Sequence, residues 1–278
     1  MAPPRVSIHS RVNRGRARLV TEALTVGLQK LGLTVSHEDP IGHSMVLYGM
    51  GPHNRSLYDS NIGKRPIVVI DLGYWNREHW SSSDCYYKVA INYWHPKNYL
   101  QQIPKSGARL AGMGVRPRAW NPRDGGAVLL AGMGPKSWIL YEQQQQLWDV
   151  AMAAEIRKHT DRTIIYRPKP SWRDPMRIRG TTYSPPSQNF FQVMRQCRAV
   201  VTHHSNSAVD ALVEGIPAFC TDGAASLIAD LDLGHIEDPV EPPGRIQFLN
   251  NLAYANWSMR EMREGTCWKF LQEEGLVP

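Results

Sequence analysis

The run Pro66-Ile67-Val68-Val69-Ile70 contains no polar position, and its branched residues favour extended backbone. A strand that is apolar on both faces must be covered on both faces, which is the condition of a strand inside a parallel α/β sheet. Similar short runs recur: Val6-Ser7-Ile8, Leu33-Thr34-Val35-Ser36 and Ser44-Met45-Val46-Leu47-Tyr48 before it, then Ala127-Val128-Leu129-Leu130-Ala131, Arg162-Thr163-Ile164-Ile165-Tyr166, Ala199-Val200-Val201-Thr202 and Ala218-Phe219-Cys220 after it. Between them lie stretches with helical spacing. Leu19, Ala23, Val26, Leu28 and Leu31 form one, stopped by Gly32; Ile139 to His159, Phe190 to Cys197 and Ser207 to Glu214 form three more. Strands alternating with helices predict βαβ units and parallel sheets.

Around residues 118–126 the chain turns polar and rich in Pro and Gly, which marks an expected linker. The strand–helix alternation then restarts. Two Rossmann-like parallel-sheet domains follow, expected over residues 1–122 and 123–255, facing each other across a cleft where ligands sit. A last helix, expected over about 256–274 and carrying Trp257, Met262, Trp268 and Leu271, would cross back from the second domain to the first within 256–278.

Composition narrows the class. With 42% hydrophobic residues among 278, the chain has material for one large domain or two small ones. No apolar run approaches the ~20 residues of a membrane helix. Met1-Ala2-Pro3-Pro4-Arg5 leads straight into a strand, so no signal peptide is expected. Cys85, Cys197, Cys220 and Cys267 are scattered, with no Cys-x-x-Cys pair, as in a reduced, cytoplasmic protein without a disulfide framework or a zinc knuckle. Charge is uneven. Residues 1–125 hold 17 basic against 8 acidic side chains, a net of +9, and residues 126–278 hold 15 against 17, a net of −2. A basic half suits a polyanionic partner, and equally a plain solvated surface.

The segment from Ala199 to Cys220 is the most specific. A buried strand delivers His203-His204-Ser205-Asn206-Ser207 onto a helix N-terminus, where free N–H groups and the helix dipole favour a phosphate. Ser205 and Ser207 read equally as helix caps. Glu214, before Gly215-Ile216-Pro217, could accept hydrogen bonds from the vicinal hydroxyls of a ribose, and reads equally as a surface residue. His203 and His204 are adjacent, so in extended backbone their rings diverge and no shared metal is expected.

This pattern resembles the donor half of GT-B glycosyltransferases and their nucleotide-sugar epimerase relatives, particularly those that build capsular and Kdo-type sugars. Ile164-Ile165-Tyr166-Arg167-Pro168-Lys169-Pro170 is similar to the strand-then-Arg-Pro-His-Pro signature of that family, with Lys169 in place of His. Leu129-Leu130-Ala131-Gly132-Met133-Gly134-Pro135-Lys136-Ser137 is similar to its glycine-rich loop. The resemblance covers about residues 126–225. It implies a compact GT-B fold and a nucleotide-sugar donor, bound without a metal. Gly132, Gly134, Lys136, Arg167, Lys169, His203, His204, Ser205, Asn206, Ser207 and Glu214 would line the donor site, with Arg167, Lys169 and the helix terminus stabilising the departing phosphate.

An inverting transfer also needs a base for the acceptor hydroxyl, at the cleft end of a strand in the first domain. Asp71 fits best, with His43 and Glu78 in reserve. A retaining mechanism needs no such base, and the residues are compatible with either. For the acceptor, Arg11, Arg14, Arg16 and Arg18 lie at the first loop and helix start, and Trp75, Arg77, Trp80 and Trp94 interleave charge with aromatic faces. Such a surface suits DNA with a hydroxylated base, as modified in bacterial viruses (bacteriophage), and suits sugars nearly as well. The same chemistry on a cell-surface glycan or small molecule is the alternative. A nucleic-acid-binding protein that keeps the fold without catalysis is a third reading.

Overall fold

A computed structural model of the chain describes residues 3–10, 15–39, 41–100 and 105–278. They form two compact units, Met1–Met113 with Asn250–Pro278, and Gly114–Leu249. The expected linker at 118–126 lies inside the second unit. Arg118 N–H donates to the Val213 carbonyl at 2.7 Å and Asn121 N–H to the Gly215 carbonyl at 2.8 Å, so this stretch is laid along the end of a helix. Its Pro and Gly residues shape an ordered strap.

The first unit contains β1 (Arg5–His9), α1 (Gly15–Lys30), β2 (Thr34–His37), β3 (Ser44–Tyr48), α2 (Pro52–Asn61), β4 (Ile67–Leu72), β5 (Tyr86–Ile91) and α3 (Ala108–Gly112). Its six-stranded sheet runs β2-β1-β3-β4-β5, with β11 (Asn256–Ser258) on the outer edge. Strands β1 to β4 are parallel, while β5 is antiparallel to β4 and β11 antiparallel to β5. The sheet is thus parallel-rich, with an antiparallel edge made of β5 and β11. Met45, Leu47, Ile67, Val69 and Ala90 form one side of the core against Tyr58 of α2.

The C-terminal residues are three elements where one helix was expected: β11, α9 (Met259–Glu264) and α10 (Thr266–Glu273). Ser258 and Glu261 form a capping box that starts α9, and Gly265, at φ 88°, ends it. Gly27 of α1 allows this segment to pack closely, since a Cβ there would meet the Met262 carbonyl oxygen. Arg109 ties the segment down, pairing with Glu261 at 2.6 Å and lying 4.0 Å over the Trp257 ring.

The second unit holds β6 (Ala127–Ala131), α4 (Pro135–Leu140), α5 (Leu147–His159), β7 (Ile164–Arg167), β8 (Thr182–Tyr183), α6 (Phe190–Met194), β9 (Cys197–Thr202), α7 (Asn206–Glu214) and β10 (Ala218–Cys220). The helix expected over 139–159 is broken in two, because Gln146 adopts a left-handed φ of 57° before α5. All five strands are parallel, in the order β10-β9-β6-β7-β8. That is the doubly wound Rossmann order. Connections leave in opposite directions from β6 and β9, so their carboxyl ends open a switch point, the usual place for a ligand. α8 (Arg245–Ala253) carries the chain out of this unit.

Candidate functional site

At the switch point of the second unit, β6 ends in Gly132-Met133-Gly134 and β9 in His203-His204-Ser205. The first loop is held from beneath by Asp149 of α5, which is fully buried. Its carboxylate accepts the Met133 N–H at 3.0 Å and the Tyr166 hydroxyl at 2.9 Å. Burial pushes this carboxyl up to about 6, against the pull of those two donors. Gly132 is required there, since a Cβ would stand 2.6 Å from Asp149 Oδ2. The Asp149 clamp carries no local motif, and the sequence reading missed it.

Above this loop the side chains converge. Ser137 Oγ lies 2.8 Å from His204 Nε2, and His204 Nδ1 lies 3.0 Å from His203 Nδ1. The two imidazoles meet edge to face with centroids 5.1 Å apart, contrary to the diverging rings expected, because the chain bends out of extended form after Thr202. A nitrogen–nitrogen hydrogen bond needs one donor and one lone pair, so the pair resists carrying two Nδ1 protons. Burial lowers the pKa of His203, partly offset by the charge of Asp222. Tyr141 packs its ring against both histidines, at 4.4 and 4.7 Å, and donates its hydroxyl to Asp222 Oδ2 at 2.7 Å. Ser137, Tyr141 and Asp222 were also missed, being distant in sequence.

α7 begins beside this cluster. Ser205 caps it, accepting the Ser207 N–H at 3.3 Å. Ser207 is buried and its hydroxyl has no partner among the described residues. Asn206 opens the helix next to it. Lys136 and Lys169 are exposed, and the Lys169 stem lies against Gly134. Among the described residues, no three His, Cys, Asp or Glu side chains converge to hold a metal ion.

Two residues expected at the donor site are engaged within the fold. Arg167 is buried and spends its guanidinium on Ser184 Oγ at 2.9 Å and on the carbonyls of Pro185, Pro186 and Gln188, so it shapes the 184–188 loop. Glu214 stands at the far end of α7, roughly 12 Å along the axis from Asn206 at 1.5 Å per residue. It accepts two hydrogen bonds from Arg195 at 2.8 Å and lies 3.1 Å from Arg118. Arg195 holds its carboxyl below the usual range. Glu214 pins the 118–126 strap and is remote from the switch point.

In the first unit, strand order reverses between β1 and β3. Asp71 lies at the carboxyl end of β4, exposed, and accepts the Leu72 N–H at 2.7 Å. Its charge helps burial to raise the phenol of Tyr48, at the end of the neighbouring β3. His43 is at the wrong edge: its Nδ1 accepts the Arg5 N–H at 3.0 Å, at the amino end of β1. Glu78 is exposed in the 73–85 loop. The carboxyl edge carries a residue not anticipated, His9, whose Nδ1 lies 3.5 Å from Glu38 Oε2.

The aromatic and basic residues divide. Arg11 and Arg14 lie outside the described residues. Trp75 is buried, and Arg77 donates to the Tyr74 carbonyl. Trp94 stacks on Tyr93 at 4.3 Å and meets Tyr58 edge-on. Arg18 pairs with Glu22 at 3.3 Å. Trp80 is 41% exposed, with Arg16 5.9 Å over its ring.

No protein-family model matches the chain, and no curated protein matches it. Solved structures do. The beta Kdo 2,4 transferase of Thermosulfurimonas dismutans KpsC is 12% identical, with a TM-score of 0.56 and 92% of each chain covered. The beta Kdo 2,7 transferase of the same KpsC is 14% identical, with a TM-score of 0.53, covering 95% of this chain and 99% of its own. The chain thus has the GT-B glycosyltransferase fold.

Two outcomes follow from this geometry. Glu214→Ala should lower stability by about 1–2 kcal/mol in denaturant titrations, since Arg195 is half exposed. For Asp149, a carboxyl raised in the fold binds its proton more tightly there than in the unfolded chain. Stability should therefore fall between about pH 4 and 6 by up to about 3 kcal/mol as that proton is lost. Denaturant titrations of Asp149→Asn should lack that part of the slope; an identical pH profile would contradict the clamp.

Proposed function

We propose that the protein transfers a glycosyl group from a nucleotide-sugar to a hydroxyl acceptor. The observation that carries this reading is the switch point of the second unit: the start of α7, the buried hydroxyl of Ser207, without a partner among the described residues, and the Ser137–His204–His203 chain beside the Gly132–Gly134 loop. N–H groups of a first helical turn and a buried hydroxyl suit a nucleotide phosphate. The GT-B fold supports the reading, and the two similar solved structures are described as beta Kdo transferases.

As the anomeric bond breaks, negative charge grows on the departing nucleotide phosphate. The α7 dipole, the Ser207 hydroxyl and the cations Lys136 and Lys169 would meet that charge. In an inverting transfer, the acceptor proton would pass to a base on the carboxyl edge of the first unit's sheet. His9 suits that role: with its Nδ1–H turned to Glu38, Nε2 presents a lone pair. Asp71 is the second base on that edge.

For the acceptor, the net +9 of residues 1–125 supports an anionic compound. A glycan or small molecule is favoured, since Trp75 is buried, Trp94 is half-buried against Tyr93 and Tyr58, and Arg77 is engaged. DNA with a hydroxylated base is the second reading, supported by the same charge and the exposed Arg16–Trp80 pair.

Ser207→Ala removes one hydrogen bond to a charged ligand without unpairing anything in the fold, so the Kd of the donor nucleotide should rise roughly tenfold in calorimetry. Unchanged affinity would overturn the phosphate assignment. A DNA complex whose affinity drops steeply with salt would favour the second acceptor reading, and a salt-insensitive or absent complex the first.

A further inference from the structure

Residues 168–181 run from β7 to β8 as a loop that is anchored at its base and bare at its tip. Trp172 is buried edge-on against Trp138 of α4, with ring centroids 4.8 Å apart, and Ile178 belongs to the core beneath α5. Between these anchors the Gln146 side-chain amide donates to the Met176 carbonyl at 2.7 Å. The Met176 side chain is nevertheless 61% exposed, and its neighbours in sequence Arg173, Arg177 and Arg179 are exposed as well. Arg177 lies 5.3 Å over the Tyr183 ring, and none of the three arginines pairs with a carboxylate among the described residues. An apolar tip fixed in place among cations has little ordering entropy left to lose on docking.

Across α5 the same unit has a hollow of the opposite kind. A cavity of about 230 Å³ lies between α5 and the segment after β10. Met152, Val201, Phe219 and Leu233 form its apolar walls, while Leu231 and Asp232 stand exposed at its mouth. Glu155 also borders it, with its charge taken up by Lys158 at 2.7 Å and His159 at 3.4 Å. Asp232 accepts the Gly234 N–H on Oδ1 at 2.8 Å, and its Oδ2 has no hydrogen-bond partner among the described residues. The charges of the two segments are opposed. Residues 168–181 hold four basic side chains against one acidic, and residues 221–244 hold six acidic with no Lys or Arg. Ser137, His203, His204 and Ser207 do not line this cavity.

Tip and cavity lie toward opposite edges of one sheet, ordered β10-β9-β6-β7-β8, and on the same face of it, since Ile178 and Leu233 pack in one core with Ala153 and Ile156 of α5. Four strand spacings, about 19 Å, separate those edges, so the tip cannot fill the cavity of its own chain. We propose that Met176 plugs this cavity in a second copy of the chain, with the flanking arginines meeting Asp232 at its mouth. An unbranched thioether side chain suits an irregular apolar hollow, and the opposed charges fix which surface meets which. Because the two surfaces differ, the contact is head-to-tail and repeats from copy to copy as a ring or a row. It needs no nucleotide and stands apart from the transfer reading.

The test is sedimentation of the full chain together with NMR of its methionine methyl groups, Met152 and Met176 being assigned through Met152→Leu and Met176→Leu. As protein concentration rises at low salt, the mass should climb above that of one chain. The Met152 and Met176 signals should move with it, and added salt should reverse both changes. Met176→Ala should weaken association roughly tenfold and hold the Met152 signal still. Arg177→Glu and Asp232→Lys should each fail to associate alone and should associate when mixed, because the exchanged charges match again. Met176→Ala and Arg177→Glu change exposed side chains, so they decide the question even if Asp232→Lys disturbs its turn. A single-chain mass at every concentration, association that Met176→Ala leaves intact, or a Met152 signal that stays still in the unaltered chain would overturn the proposal. So would binding to phosphatidylserine vesicles that moves the Met176 signal alone, which would assign the tip to a lipid surface.

Discussion

A carboxylate with no contact to solvent, Asp149, decides where the second unit's first loop can lie. By accepting the Met133 N–H and the Tyr166 hydroxyl, it draws the turn after β6 down onto the sheet and leaves room for nothing larger than hydrogen at Gly132. That turn starts α4 and so sets Ser137 against His204. His204 in turn meets His203, and Tyr141 packs on both rings while bonding Asp222. The candidate donor site is thus built outward from one buried acid. Keeping such a group ionised near neutral pH costs stability, and a fold that retains it has a use for the geometry it imposes.

Strands covered on both faces were legible in the sequence, because such a position tolerates no polar residue. The runs at Pro66–Ile70 and Ala127–Ala131, in β4 and β6, showed this most plainly. α7 was legible for a different reason: a Ser-Asn-Ser cap before it and Gly215 with Pro217 after it mark both ends. β5 was not, because Tyr86-Tyr87-Lys88 puts polar groups at consecutive positions and breaks the apolar run that marks a covered strand. In the fold Lys88 is buried with its amine 3.2 Å from His95. The C-terminal segment misled in the same way. The spacing of Trp257, Met262 and Trp268 imitates one helix, but Ser258 and Gly265 each restart the backbone.

The site was legible as a place and less so as a list. Ser205, Asn206 and Ser207 fall where the strand–helix boundary put them. Arg167 and Glu214 carry charges that a reading along the chain assigns to a ligand, and the fold spends them on its own loops. Only the length of α7 separates Glu214 from the N-terminus of that helix, and that distance needs the helix to be drawn in three dimensions. His9 and Glu38 meet because β1 and β2 are neighbours in the sheet, and no motif announces such a pair.

The proposed transfer requires the second unit to bind an activated sugar through its nucleotide. It is tested most directly by following the melting temperature of the whole protein against a panel of nucleoside monophosphates, diphosphates and their sugars. A ligand held at ~100 times its Kd should add about 2.7 kcal/mol of stability. The account expects at least one nucleotide and its sugar conjugate to raise the melting temperature clearly, and the rise to shrink in Ser207→Ala. No change with any member of the panel would contradict it.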